Sequence, residues 1–154
     1  MMRILTALVL LAVLFAAPAQ ALDVQRPDPA LSAKEVVSIQ LEALRNNDDP
    51  RKDAGIKQTY ALAHPQNKAL TGPLPKFTQM LEGPLYRMML NHRAHTIEEV
   101  AQGEGRAVFG VTIVDAAGEV YKFRWTVRKI DTGDYAGAWA TVAVSPPQTA
   151  DDSI

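Results

Sequence analysis

Two periods of hydrophobicity divide the chain. From Ser32 to about Asn91 the apolar residues recur at helical spacing, and from His92 onward they alternate with polar ones. The helical part opens on Ser32-Ala33-Lys34-Glu35, a capping box in which the Ser32 hydroxyl and the Glu35 carboxylate satisfy each other's backbone N–H groups, with Leu31 and Val36 placed as a hydrophobic staple. The helix runs to about Arg45. At about 100° per residue, Val36, Val37, Ile39, Leu41, Ala43 and Leu44 form one broad apolar face, and Gln40 falls in the middle of it. A buried amide without partners costs about 1–3 kcal/mol, so Gln40 must either tie down a neighbouring backbone or line a cavity.

A second helix is predicted from Asp49 as N-cap and Pro50 as first helical residue, with Ile56, Tyr60 and Ala63 inward and a stop at His64 before Pro65. A third follows Thr71-Gly72-Pro73, carries Leu74, Phe77 and Leu81 inward, and is closed by Gly83-Pro84; "PLYRMMLN" makes one more helical turn. The connection between the second and third helices, "AHPQNKALTGPLPKF", is dense in turn chemistry. One reading is a rigid corner held by side-chain-to-backbone hydrogen bonds, with Gln40 as a partner; the other is a pocket rim that presents His64, Asn67 and Lys68.

In the second half, "EGRAVFGVTIVD" and "EVYKFRWTVRKI" are strands joined as a hairpin through Ala116-Ala117-Gly118. Tyr121, Phe123, Trp125 and Val127 alternate with Lys122, Arg124, Thr126 and Arg128, which gives one aromatic face and one basic, wet face. "HRAHTIEEVA" is a weaker strand before them and "AWATVAVS" a final one after. Helices first and an antiparallel meander second describe an α+β domain whose sheet packs one face on the helices.

The ends change the picture. Arg3, the apolar run Ile4 to Ala17 and the small-x-small Ala19-Gln20-Ala21 make a signal peptide over residues 1–21, followed by an extended leader (22–31), one domain (32–145) and a flexible polar tail (146–154). The expected location is therefore outside the cytoplasm, periplasmic or secreted, with no membrane anchor after cleavage. There is no cysteine, which removes disulfides, thiolate nucleophiles and thiolate metal sites. The net charge of −1, with both signs interspersed, is no footprint for nucleic acid.

The order "QLEALRNND", "GI", "AHPQNKALTGP", "FTQM", "GPLYRMMLNHR" and a late Trp resembles the bacterial family called domain of unknown function 4864. Its most specific parts are Pro65-Gln66-Asn67, Thr71-Gly72-Pro73, and Pro84, Tyr86 and Asn91-His92, and it covers roughly residues 30–144. The resemblance implies a cystatin-like cone, the fold of nuclear transport factor two and ketosteroid isomerase, with the helices in the concave face of a curved sheet and a pocket at the open end. It implies no activity, because such cones host isomerases, carriers and dimerisation modules alike.

Chemistry must then come from the site. His92 and His95 lack a third ligand at a recognisable spacing, so no metal and no cofactor is expected. Isomerase chemistry would need an inward Asp or Glu, and none falls on an inward face. The candidate pocket residues are Gln40, Tyr60, His64, Asn67, Tyr86, His92 and Trp125. They point first to a domain without catalysis that binds a small apolar or amphipathic molecule or a partner protein. The alternatives are a pocket enzyme with His64 or His92 as general base, and a homodimerisation module using the face of Lys122, Arg124 and Arg128.

Overall fold

The computed structural model describes residues 23–149, so the leader read as a signal peptide and the last residues of the tail lie outside it. Four helices precede the sheet: α1 (Ala33–Arg45), α2 (Ala54–Ala61), α3 (Pro65–Thr71) and α4 (Leu74–Glu82), with a 3-10 turn at Arg87–Met89. They pack on an unclosed antiparallel sheet of β1 (Ala94–Gly103), β2 (Arg106–Val114), β3 (Val120–Lys129) and β4 (Trp139–Val144), in that spatial order. This is the α+β arrangement that the two hydrophobic periods predict. Among the described residues no helix is long and apolar enough to cross a membrane.

The capping box forms as read. Ser32 Oγ accepts from Glu35 N at 3.2 Å, and Ser32 N donates to the Glu35 carboxylate at 2.7 Å. Val36, Val37, Leu41 and Leu44 are wholly buried. At about 1.5–3 kcal/mol for each such side chain, α1 is the principal apolar ridge under the sheet. Its buried residues share one core cluster with Phe109, Val111, Phe123, Trp125 and Val127 of β2 and β3, the face that the alternation marks as inward.

Two helices differ from the sequence reading at their starts, and α2 also ends early, at Ala61 rather than at His64. Helix α2 begins at Ala54, not at Pro50, and Asp49–Pro50 is a cis peptide in the turn before it. The cap comes instead from the end of α1. Asn47 Oδ1 accepts from Ile56 N at 2.9 Å, and the Asn47 carbonyl accepts from Gly55 N at 2.9 Å. Gly55 makes that approach possible, because a Cβ there would lie 2.0 Å from the Ala43 carbonyl oxygen. The second difference is that Pro65–Thr71, read as a connection, is a short helix. His64 caps it, its Nδ1 accepting from Gln66 N at 3.1 Å, and Pro65 supplies the first-turn φ.

The hairpin turn forms at Ala116–Gly118, with Asp115 Oδ1 accepting from Ala117 N and Glu119 N, both at 2.9 Å. Bulges at Val100 in β1 and Val142 in β4 interrupt the ladders, the device by which a strand bends and its twist increases. The tail is more ordered at its start than its polarity suggests. Ser145 Oγ accepts from Arg124 N at 2.8 Å, and Gln148–Thr149 form a short β5 that extends the β4 edge along β3.

Candidate functional site

The site is a cavity of about 200 Å³ between α1, α4, the 3-10 turn and β4, with α3 at its rim. Its walls are mainly apolar, with Leu44, Phe77, Leu81 and Met89 from the helical side and Trp125 and Val144 from the sheet. It reaches the surface beside α3, where the lining residue Leu70 is 87% exposed.

Polar atoms enter this apolar space at two places, and both sets are bonded. At the inner end Gln40 Nε2 donates to the Thr59 carbonyl at 2.9 Å, while Gln40 Oε1 accepts from Trp125 Nε1 at 3.1 Å and from Thr141 Oγ1 at 2.5 Å. The indole N–H is shared with Thr141 Oγ1, also at 3.1 Å, and Thr59 Oγ1 donates to the Gly55 carbonyl at 2.9 Å. Gln40 thus does both things its position on the apolar face allows: it ties down α2 and it lines the cavity. Such a network, fully satisfied, fixes one arrangement of α1, α2, β3 and β4 around the space.

At the rim the polar groups complete the edge of β4. The bulge leaves the Val142 carbonyl outside the β3 ladder, and it accepts from Asn67 Nδ2 at 2.8 Å. The Val144 carbonyl accepts from the Tyr86 hydroxyl at 3.2 Å, and burial pushes that phenol's pKa up, so it stays neutral. Further along the same edge, His64 N donates to the Thr141 carbonyl at 2.8 Å and Thr141 N to the Leu62 carbonyl at 3.0 Å. The "AHPQNKALTGP" corner is therefore a side-chain-bonded lid on an edge strand. Gln40, proposed as its partner, bonds elsewhere.

Of the residues singled out from sequence, Gln40, Asn67, Tyr86 and Trp125 line this cavity. Tyr60 does not. Its hydroxyl donates to the Gly72 carbonyl at 3.2 Å, and its ring lines a separate depression on the outer side of α2. His64 is buried as the cap of α3; since Nδ1 accepts, Nε2 carries the proton, and that buried N–H has no hydrogen-bond partner among the described residues. It is not a lining residue of the cavity. His92 is buried between the 3-10 turn and β1, behind the lining residue Met89, and is not itself a lining residue of the cavity. Its Nδ1 lies 2.6 Å from the Met89 carbonyl, which can only accept, so Nδ1 holds the proton and Nε2 faces His95 Nδ1 at 2.7 Å. Burial pushes both pKa values below the usual imidazole value. Among the described residues no three His, Cys, Asp or Glu side chains gather as a metal site, and the buried polar residues include no carboxylate.

Thr59 and Thr141 were not singled out from the sequence. Thr141 carried a usable signal, since it is a polar residue two positions from the inward Trp139 in a strand, the same logic that marks Gln40 in a helix.

The chain matches no family model, no curated protein and no solved structure.

Proposed function

We propose that this is an exported domain without catalysis, of the cystatin-like cone type and related to the family called domain of unknown function 4864, that holds a small neutral apolar or amphipathic molecule in the cavity under α3. The observation that carries this reading is the composition of the cavity. Its walls are mainly apolar, its inner polar atoms are bonded within the protein, and among the described residues its only ionisable lining group is the Tyr86 phenol. General acid–base chemistry needs a titratable group within hydrogen-bond reach of the reacting atom, and neither His64 nor His92 lines this space.

The size supports the same reading. A cavity of about 150 Å³ lined by apolar side chains takes up benzene, so about 200 Å³ suits a substituted single ring or a short branched chain. Unfilled apolar space in a core also costs stability in proportion to its volume. A domain built only to dimerise would gain by closing that space with larger side chains.

Native mass spectrometry of the processed protein, followed by NMR titration with indole, tests the proposal. Expected are a retained small neutral molecule, or saturable indole shifts at Gln40, Trp125 and Thr141, and their loss in Met80→Trp, which fills the cavity from a half-buried position on α4. An empty chain that gives no saturable shift with indole or other small apolar compounds overturns it.

A further inference from the structure

We propose that a second depression, on the outer side of Tyr60, binds a small organic anion through Arg26, Lys57 and Lys68. The depression holds about 230 Å³ and shares no lining residue with the apolar cavity. Its rim carries these three cations and two phenols, Tyr60 and Tyr135, with no carboxylate among the lining residues. Val24, Pro27, Ala61 and Leu74 supply an apolar wall.

Arg26 and Lys68 are held in place by phenol groups, Asp23 acts on Arg26 electrostatically, and no carboxylate lines the depression itself. The extended leader is clamped to α2 by both ends of one amide: Gln25 N donates to Gln58 Oε1 at 2.7 Å, and Gln58 Nε2 donates to the Gln25 carbonyl at 2.8 Å. That clamp sets Arg26 beside the loop after β3, where its Nη1 donates to the Tyr135 hydroxyl at 3.1 Å. Lys68 projects from α3 over the Tyr60 ring, with Nζ 4.9 Å from the centroid, and the ring leans on Phe77 at 5.2 Å. The Glu42–Arg45 salt bridge lies elsewhere, on α1. Lys68 is half-buried, and desolvation lowers its pKa, the mark of an ammonium that has lost water without gaining a carboxylate.

This arrangement suits a phosphate, sulfate or carboxylate group attached to an apolar body. An oxyanion can take charge-assisted hydrogen bonds from a guanidinium and two ammonium groups. The Tyr135 hydroxyl, which accepts from Arg26, has its own proton left to donate. The body of such a molecule would lie along the apolar wall.

An NMR titration of the folded chain with phenyl phosphate, inorganic phosphate and neutral phenol tests the assignment. Saturable shifts are expected with both phosphates at the amides of Arg26, Lys57, Lys68 and Tyr135, tighter with phenyl phosphate, and none there with phenol. Lys68→Met and Arg26→Gln should each weaken phosphate binding by about tenfold or more, the size of a lost charge-assisted hydrogen bond. Lys122→Gln, on the outer face of the sheet, should leave it unchanged. Because Arg26 and Lys57 are exposed, the double variant Arg26→Gln, Lys57→Gln repeats the test without disturbing α3. Absence of saturable shifts at these amides, or an equal loss in Lys122→Gln, overturns the proposal. Equal binding of phenol at these amides overturns it too. The indole response at Trp125 reports on the apolar cavity separately, so the two proposals can fail independently.

Discussion

The two hollows on either side of α2 and α3 are built by neighbouring residues and have opposite chemistry. Thr59 and Asn67 line the apolar cavity, while Tyr60 and Lys68, the next residue in each case, line the basic depression. Successive helical residues point about 100° apart, so a helix lying between two spaces can serve both. Inside, Gln40, Thr59, Trp125 and Thr141 are arranged so that each buried polar group meets another. Outside, Arg26, Lys57 and Lys68 converge on a depression that no carboxylate lines. Polar groups that cannot reach water must be satisfied within the protein, whereas cations at a rim can stay incomplete and still be tolerated.

That contrast predicts where the molecule is sensitive. Trp125→Ala should produce the largest effect, a loss of about 3–5 kcal/mol in urea-induced unfolding, because it enlarges the cavity and takes a donor from Gln40. A loss below about 1 kcal/mol would mean that the cavity wall collapses freely, which breaks the comparison at its strongest point. Gln40→Leu comes next. It keeps the volume but strips the Thr59 carbonyl of its donor and the Thr141 hydroxyl of its acceptor, at about 1–3 kcal/mol. A neutral outcome in the same unfolding assay would show that the network is ornamental to stability.

A third, smaller effect sits outside both hollows and tests whether burial alone moves a base. His92 and His95 have folded pKa values pushed down, mainly by burial, with Glu42 and Arg45 of α1 also acting on the pair. The unfolded chain takes up protons first as pH falls through about 6.5, so stability should be full above that value and decline below it. The decline continues until the folded imidazoles protonate in turn. His92→Gln should flatten the dependence of unfolding free energy on pH between about 7 and 5 relative to the parent chain. An unchanged slope would assign the dependence to other groups.

Much of the inner hollow was legible in the sequence, and little of the outer one. Gln40 announced itself by interrupting an apolar helical face, and Trp125 by alternating with Lys122, Arg124 and Arg128, since periodicity reports which residues share a buried side. The capping box and the Asp115 turn were legible because their bonds are local. Helix α3 was hidden by the prolines at its borders, and the start of α2 by a cap that comes from Asn47 rather than from the nearer Asp49-Pro50 pair. Tyr60 was read as inward because it shares a stripe with Ile56 and Ala63, and it does pack on the core against Phe77, but it lines the outer depression and not the cavity. Arg26, Lys57, Lys68 and Tyr135 lie on four separate segments, and no period connects them. The clamp of Gln58 on the extended leader, the Arg26–Tyr135 hydrogen bond and the stacking of Lys68 on Tyr60 bring them together, and none of these is local in the sequence.

The smallest expected effect is the one that most sharpens the contrast. Lys68→Met keeps the length of the side chain over the Tyr60 ring and removes the charge. The lost cation–π contact is worth roughly 0.5–1 kcal/mol at such a site, and relief of the ammonium's desolvation offsets it. Stability in urea should therefore change by no more than about 0.5 kcal/mol in either direction. A loss well beyond that would make Lys68 a structural strut between α2 and α3, and the outer depression would be part of the scaffold. A stable Lys68→Met chain that still binds indole and has lost phosphate would separate the two hollows completely. The inner one would be defined by what its polar groups do for each other, and the outer by what its cations leave undone.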